Sequence, residues 1–214
     1  MHKEKKNKNT FIATIKYLIV AILFVAIIII ILFGLFGSRI SLAISLVNKI
    51  SIDTSNVVLK EVKLNSVTKR LESYPEYGTK YGELQIDSLD VDLPLYYGDT
   101  LSILRNGIGH SSGSYFPGEG GTIVCMAHNT RGFLYNLSDI EIGAEIVIET
   151  TYGTFTYEVY DTKVVPETQV EAAAVQNREE ILILYTCFPT NTFGHATERF
   201  MTYSKLVDAQ YNAD

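Results

Sequence analysis

Residues 179–200 read "EEILILYTCFPTNTFGHATERF", in which an apolar run closes at Cys187 and an irregular polar segment follows. The run at 181–185 is aliphatic and aromatic, which is typical of a buried β-strand. Arg199 opens a second segment of the same kind, "RFMTYSKLV". A rigid strand end can aim a side chain into a cleft. Cys187 is therefore a candidate for chemistry as well as for packing.

Short segments of similar composition fill the chain from residue 81 onward, separated by Gly, Pro, Asn and Asp. There are seven: "YGELQID", "VDLPLYYG", "GGTIVCMAH", "AEIVIETTYG", "GTFTYEVYDTKVV", "EEILILYTC" and "RFMTYSKLV". This number of short strands predicts an all-β barrel or sandwich. The pattern also predicts a hairpin around Tyr152 and Gly153 and one short helix within residues 167–180.

The N-terminal part has a different character. Residues 17–36, "YLIVAILFVAIIIIILFGLF", lack charge and are long enough, at about 1.5 Å per helical residue, to span a bilayer core of ~30 Å. Four lysines in "MHKEKKNKNT" precede them and predict a cytoplasmic N-terminus. A cleaved signal peptide is the alternative, because "SLAIS" at 41–45 contains small residues. The apolar run is long for that purpose, so an uncleaved, single-pass anchor with an extracellular catalytic domain is predicted.

The predicted organisation has five parts. They are a basic head at 1–11, a transmembrane signal anchor at 12–37, a stalk at 38–55, an amphipathic helix at 56–80 and a barrel at 81–214. The helix prediction rests on the helical spacing of Leu64, Val67 and Leu71, with Pro75 and Gly78 as stop signals. The whole chain has a formal charge of −6 and residues 1–37 carry +4, which leaves −10 for the remainder. This acidity argues against nucleic-acid binding.

The chain has two cysteines, Cys125 and Cys187, which in an exported protein predict either a disulfide or free thiols. His128, at the end of "GTIVCMA", is the best candidate base because it lies at the same kind of strand end as Cys187. Residues an odd number apart along a strand face opposite sides. Cys125 therefore faces away if His128 faces the site, which makes it a structural thiol. His110 and His195 lie in predicted loops and are weaker candidates.

Other sites of chemistry are poorly supported. The sequence has no HExxH, no paired CxxC and no GxxxxGK[ST] loop, the patterns that would indicate metal or nucleotide chemistry. "GEGG" at 118–121 is interpreted as a turn rather than a phosphate-binding loop. Arg199 is either a solvated edge charge or a fixed cation beside the carbonyl that a thiolate attacks.

The order of His128, then Cys187 in "LYTC", then Arg199 resembles the sortases of Gram-positive bacteria, which are membrane-anchored cysteine transpeptidases with an eight-stranded β-barrel. The likeness covers roughly residues 80–207. Ile183 replaces the first Thr of the usual Thr-Leu-x-Thr-Cys pattern, and Ala127 stands where a glycine often precedes the histidine. Neither change touches a reacting group.

The resemblance also favours a subclass. Residues 73–82, "SYPEYGTKYG", lack the Asp-Pro-aromatic lid motif of pilus-polymerising sortases, and no second span follows at the C-terminus. The compact core resembles class D or class A, with class D preferred. Some sortases bind Ca²⁺, and Glu141 and Glu145 suit either that ion or an ordinary surface. No cofactor is predicted.

What the resemblance implies is a thiol peptidase that transfers surface proteins to the cell wall. Cys187 would attack the Thr carbonyl of an LPXTG-type sorting signal and release the chain before Gly, and an amine of a peptidoglycan precursor would resolve the thioacyl-enzyme. His128 would move the protons, and Arg199, helped by backbone near Thr186, would hold the substrate carbonyl. The alternative from another class is an anchored, non-catalytic β-module that binds wall polymer or a partner protein.

Two other thiol enzymes fit less well. A papain-like protease places its cysteine at the start of a helix and before its histidine, whereas here His128 precedes Cys187. The Ser-His-Gly-Cys signature of L,D-transpeptidases is missing.

Overall fold

The computed structural model describes residues 16–17, 19–20, 22–28, 65, 70–174, 179–190 and 195–212. The chain divides into two units, Met1–Ile52 and Asp53–Asp214. In the first unit the described residues are helical and exposed. Within the described ranges, no helix combines the length and apolarity that a bilayer crossing needs. The predicted anchor at 12–37 extends beyond these ranges on both sides, and the predicted head and stalk lie outside them.

The second unit is a β-barrel. Its described strands are β1 (Lys80–Ile86), β2 (Val91–Tyr97), β3 (Ile108–His110), β4 (Thr122–Ala127), β5 (Glu145–Thr150), β6 (Gly153–Pro166), β7 (Ile181–Phe188) and β8 (Glu198–Tyr211). Two short helices are α1 (Leu101–Leu104) and α2 (Val170–Ala173), and a 3₁₀ turn at Glu167–Gln169 precedes α2. The strands close in the order β1-β2-β3-β4-β7-β8-β6-β5. The all-β barrel prediction is confirmed.

The apolar run of β7 is buried on both faces, which explains why it does not alternate. Leu182 and Leu184 face the barrel interior and are fully buried. The outer face carries a second cluster of Ile181, Ile183, Met201 and Tyr203, against which Val165, Val170, Ala174 and Tyr185 pack. Val170 and Ala174, which belong to the connection between β6 and β7, therefore cover part of the outside of β7 and β8.

The seven predicted strand segments all form strands, and the structure adds an eighth. β3 escaped prediction because it has three residues within a glycine- and serine-rich segment. The hairpin prediction is confirmed, since Thr150 pairs with Gly153 across a two-residue turn. The short helix predicted within 167–180 is also confirmed, as α2 and the turn before it.

The helix predicted over 56–80 is wrong in its last turns. Residues 70–79 form bends, turns and an isolated bridge at Leu71, and β1 begins at Lys80. The physical reason is a set of tertiary contacts, because the Leu71 N–H and the Tyr74 hydroxyl both donate to Oε1 of Glu119, at 3.0 and 2.8 Å. Except for Asn65, the earlier part of this predicted helix lies outside the described residues.

"GEGG" is a turn, as interpreted, and the protein's own carboxylate occupies its N–H groups. Gly118 and Gly120 both have positive φ, of 87° and 74°. Their N–H groups each donate to a Glu180 oxygen at 2.9 Å, and the Tyr157 hydroxyl donates to the same carboxylate at 2.7 Å. Glu180 thus fixes the start of β7, at the end opposite Cys187.

A neutral histidine is built into the core. His110 is fully buried, its Nδ1 hydrogen-bonds the Tyr81 hydroxyl at 2.9 Å and its Nε2 hydrogen-bonds Ser114 Oγ at 2.9 Å. Desolvation by burial lowers the pKa of His110 from 6.5 to about 3, opposed in part by a backbone hydrogen bond at Tyr115. The imidazole is therefore uncharged at neutral pH, which suits its two neutral partners.

This histidine makes the fold sensitive to acid. The unfolded chain takes up a proton on His110 below pH 6.5, whereas the folded protein resists until about pH 3, because its pKa is lowered to that value. The stability that the uncharged His110 contributes is thus fully present above pH 6.5 and is lost as the pH falls toward 3. We expect the free energy of unfolding to drop by about 3 kcal/mol between pH 7 and pH 4 from this group alone. Urea unfolding at the two pH values measures the change. His110→Gln, which keeps polar partners without the titration, should lose correspondingly less, and equal losses in the two proteins would contradict the assignment.

Candidate active site

Three adjacent strands carry the three predicted catalytic residues to one end of the barrel. β4 runs parallel to β7 with Ala127 opposite Thr186, so His128 follows β4 at the level where Cys187 follows Thr186. β7 runs antiparallel to β8, and there Cys187 lies directly opposite Arg199. Paired residues on neighbouring strands place their side chains on one face. The sheet therefore sets an imidazole, a thiol and a guanidinium in a row.

The two thiols have different surroundings. Cys187 is half-buried and free, whereas Cys125 is fully buried and free, which contradicts the disulfide alternative. Burial raises the pKa of Cys125 far above its ordinary value. As the alternation along β4 predicts, Cys125 belongs to the interior, where it lies between His110 and Leu184 of the neighbouring strands. Cys187 is the thiol that a substrate can reach.

His128 presents an unused ring nitrogen. Its backbone carbonyl accepts the Leu134 N–H at 3.0 Å and its ring packs edge-on against Phe133, with centroids 5.8 Å apart. These contacts fix the residue, while Nε2 is shielded from solvent and has no partner among the described residues. Desolvation by burial, and then the positive charge of Arg105, lower the pKa of His128. The imidazole is neutral at pH 7 and has a nitrogen available for proton transfer.

Thr186 links β7 to β4 through its side chain. Its side chain is buried and its hydroxyl donates to the Ala127 carbonyl at 2.8 Å, which ties β7 to β4 just below the row. The predicted contribution of the backbone near Thr186 to substrate binding stays a prediction.

A second pair of side chains, not predicted from the sequence, lies on the same face. Tyr185 is two residues before Cys187, and its hydroxyl contacts Sδ of Met126, two residues before His128, at 3.0 Å. The period of two along each strand is the signal that could have found them. Burial raises the pKa of Tyr185 to about 12, a shift that the Arg199 charge partly opposes. The tyrosine is therefore neutral, and the pair forms a largely apolar floor beside the thiol.

Three acceptors, near the start of β8 and just after the end of β6, hold the Arg199 guanidinium. Nη1 donates to the carbonyls of Ala196 and Glu198, each at 2.7 Å, and Nη2 donates to Oε2 of Glu167 at 2.9 Å. The same Glu167 oxygen lies 2.7 Å from Nε2 of His195. The hydrogen bond from His195, and then the charges of His195 and Arg199, lower the pKa of Glu167, so it is a carboxylate at neutral pH.

Neither of the other two described histidines, His110 and His195, is level with Cys187 in the strand register. His195 is largely exposed and is engaged by Glu167, and His110 is enclosed in the core. His128 is therefore the imidazole that the strands bring level with Cys187. No group of three His, Cys, Asp or Glu side chains suited to a metal ion occurs within the described ranges, where Glu141 and Glu145 both lie.

A family model and a curated relative both match this chain. The family model described as "Sortase domain" matches residues 84–207. Sortase D of Bacillus subtilis (strain 168) is 35% identical over 133 residues, which is 62% of this chain and 67% of that protein. The matched segment contains all eight strands except the ends of β1 and β8.

Solved structures resemble the same region. The Clostridium perfringens Sortase D5 transpeptidase aligns with a TM-score of 0.56 and 25% identity, over 63% of this chain and 83% of that one. Streptococcus agalactiae sortase C1, solved in complex with MTSET, aligns with a TM-score of 0.54 and 28% identity, over 60% and 68% of the two chains.

Proposed function

The chain belongs to the sortase family, is most like class D and is a cysteine transpeptidase; from this premise we propose that it cleaves an LPXTG-type sorting signal between Thr and Gly and transfers the signal's protein to an amine of a cell-wall precursor. The observation that carries the proposal is the row of His128, Cys187 and Arg199 on three adjacent strands.

In the acylation step, the neutral His128 imidazole takes the proton of the Cys187 thiol as the sulfur attacks the carbonyl carbon of the Thr residue. Charge develops on the carbonyl oxygen, which the Arg199 guanidinium stabilises with its free N–H donors. The Thr–Gly bond breaks when His128 gives a proton to the leaving amine. The products are a thioacyl-enzyme and a peptide that begins with Gly.

In the transfer step, the acceptor amine attacks the thioester carbon and His128 removes the amine's proton. A new amide bond forms as the C–S bond breaks, and His128 returns the proton to the Cys187 sulfur, which restores the free enzyme. The half-buried thiol and the apolar floor of Tyr185 and Met126 favour this outcome, because they reduce the access of water to the thioester. The substrates are surface proteins with an LPXTG-type C-terminal signal and a peptidoglycan precursor.

The sequence supports a membrane location for this activity. The apolar run at 17–36 and the lysines before it favour a single-pass anchor with a cytoplasmic N-terminus and an extracellular barrel. Both substrates of the proposed reaction are found on that side of a Gram-positive membrane. Ca²⁺ is not required by any step above.

The test is a covalent adduct. The full chain in detergent is incubated with a panel of LPXTG-type peptides, and its intact mass is measured before and after addition of a small amine such as triglycine. We expect the mass to rise by the acyl fragment, peptide mapping to place it on Cys187, and the amine to discharge it. The buried Cys125 serves as the internal control and stays unmodified.

The absence of a covalent adduct would contradict the proposal. If no peptide in the panel adds mass while iodoacetamide still alkylates Cys187, the thiol is accessible but has no acyl substrate of this class. The non-catalytic β-module would then become the better account of the protein.

A further inference from the structure

Glu167 is a residue that the proposed reaction does not use directly. It follows β6 at the point where the β6–β8 ladder ends: Val165 pairs with Arg199, Pro166 pairs with Glu198, and the Glu167 N–H donates to the Thr197 carbonyl at 2.9 Å. The backbone of Glu167 is therefore fixed to the segment that leads into β8. Its side chain, about one-third exposed, extends back toward Arg199.

The contacts of Arg199 divide its donors into two sets. The three hydrogen bonds to Ala196, Glu198 and Glu167 use three of the five guanidinium N–H groups. The other two N–H groups take no partner among the described residues. The side chain is only 15% exposed, so the guanidinium is enclosed as well as bonded. The Arg199 guanidinium is thus fixed along one edge, and two of its N–H donors remain without a partner among the described residues.

We propose that Glu167 is a positioning residue, which holds the Arg199 guanidinium beside Cys187 so that its remaining donors meet the carbonyl oxygen of the substrate. This inference rests on the proposed function, because it assigns a role in holding the same carbonyl. Glu167 itself touches no reacting atom.

Two physical arguments favour positioning over simple charge pairing. Both backbone acceptors bind Nη1, and Glu167 is the described acceptor that binds Nη2, so its bond adds a second fixed point on the guanidinium plane. In addition, a displacement of about 1 Å at a group that stabilises a transition state can cost about a hundredfold in rate. Removal of an ion pair that only neutralised surface charge would not change the rate by such a factor.

The chain offers a matched control ion pair on β6 and β8. Glu158 of β6 pairs with Lys205 of β8, with Oε1 and Nζ 2.9 Å apart. This ion pair joins β6, which leads into Glu167, to β8, which carries Arg199, and Lys205 lies opposite Ile181, at the far end of β7 from Cys187. Glu158→Ala therefore removes a comparable ion pair without approaching the site.

The experiment compares the acylation rate of Glu167→Ala and Glu158→Ala, each in the full chain and in single turnover with the best LPXTG-type peptide. We expect Glu167→Ala to slow acylation by about tenfold to a hundredfold and Glu158→Ala to change it less than about twofold. Glu167→Gln keeps an oxygen acceptor and should recover part of the loss. Alkylation of Cys187 by iodoacetamide, which needs no carbonyl to be held, should stay unchanged.

A second readout does not depend on the peptide. Restricted rotation of a bonded guanidinium gives resolved Nη resonances in ¹⁵N-labelled protein, and the Arg199 signals are assigned by their loss in Arg199→Lys. We expect Glu167→Ala, and not Glu158→Ala, to collapse them.

The outcomes separate the two proposals. Unchanged acylation in Glu167→Ala, or Nη resonances that persist in it, overturns the positioning role and leaves the proposed function intact. Equal losses of acylation and alkylation mean a structural role and also overturn it. If no peptide acylates the unaltered protein, the proposed function fails, and the Nη resonances alone decide whether Glu167 holds Arg199.

Discussion

Cys187→Ala is expected to leave no measurable transpeptidation, a fall of at least about four orders of magnitude. The reason is that the thioacyl intermediate cannot form without the sulfur, and no other side chain in the row is a nucleophile of comparable strength. The measurement is release of the Gly-containing fragment from an LPXTG-type peptide in the presence of triglycine. Circular dichroism should show an unchanged fold, since Cys187 is only half-buried at the end of its strand.

The second cysteine gives the control for this prediction. Cys125→Ala removes a thiol of the same kind from the barrel interior, where the alternation along β4 directs it away from His128. We expect this variant to keep its transpeptidation, to lose some thermal stability because a small cavity opens, and still to be alkylated once by iodoacetamide. Substantial turnover by Cys187→Ala would show that the nucleophile has been misassigned.

His128→Gln is the second large loss that we expect, of about a hundredfold to ten-thousandfold in the acylation rate. The imidazole must give a proton to the leaving amine, and the amide of glutamine cannot do so. Because glutamine fills a similar space, the packing against Phe133 should largely persist. Single-turnover acylation measures the loss, and an activity within about tenfold of the unaltered protein would exclude His128 as the proton donor.

The pH dependence tests the same residue by a different route. Desolvation and the Arg105 charge lower the pKa of His128 from 6.5, so the acidic limb of the pH–rate profile, which follows the ionisation of His128, should have its midpoint below that value. Arg105→Gln removes one of these two causes. The pKa of His128 should then rise and move the acidic limb to higher pH. A limb that keeps its position in Arg105→Gln would contradict this assignment.

Several features of this chain follow from local pattern. Short β-branched segments with glycine and proline between them predict a barrel, because the alternation of side chains along a strand depends on the backbone alone. The same alternation is enough to assign Cys125 and His128 to opposite faces of β4. Prediction from local pattern fails at two places. At β3, three residues are too few to show an alternation. At residues 70–79, the hydrogen bonds of Leu71 and Tyr74 to Glu119 override the helical spacing.

The sequence by itself determined the strand-rich fold, the thiol at the end of β7 and the residue types of the candidate site. Tertiary structure alone decided that Cys187 lies opposite Arg199, that His128 lies level with Cys187, and that Glu167 holds Arg199. The physical reason is distance along the chain. Fifty-nine residues separate His128 from Cys187, and thirty-two separate Glu167 from Arg199. No local propensity sets such a register; the pairing of β4, β7, β8 and β6 in the closed barrel does.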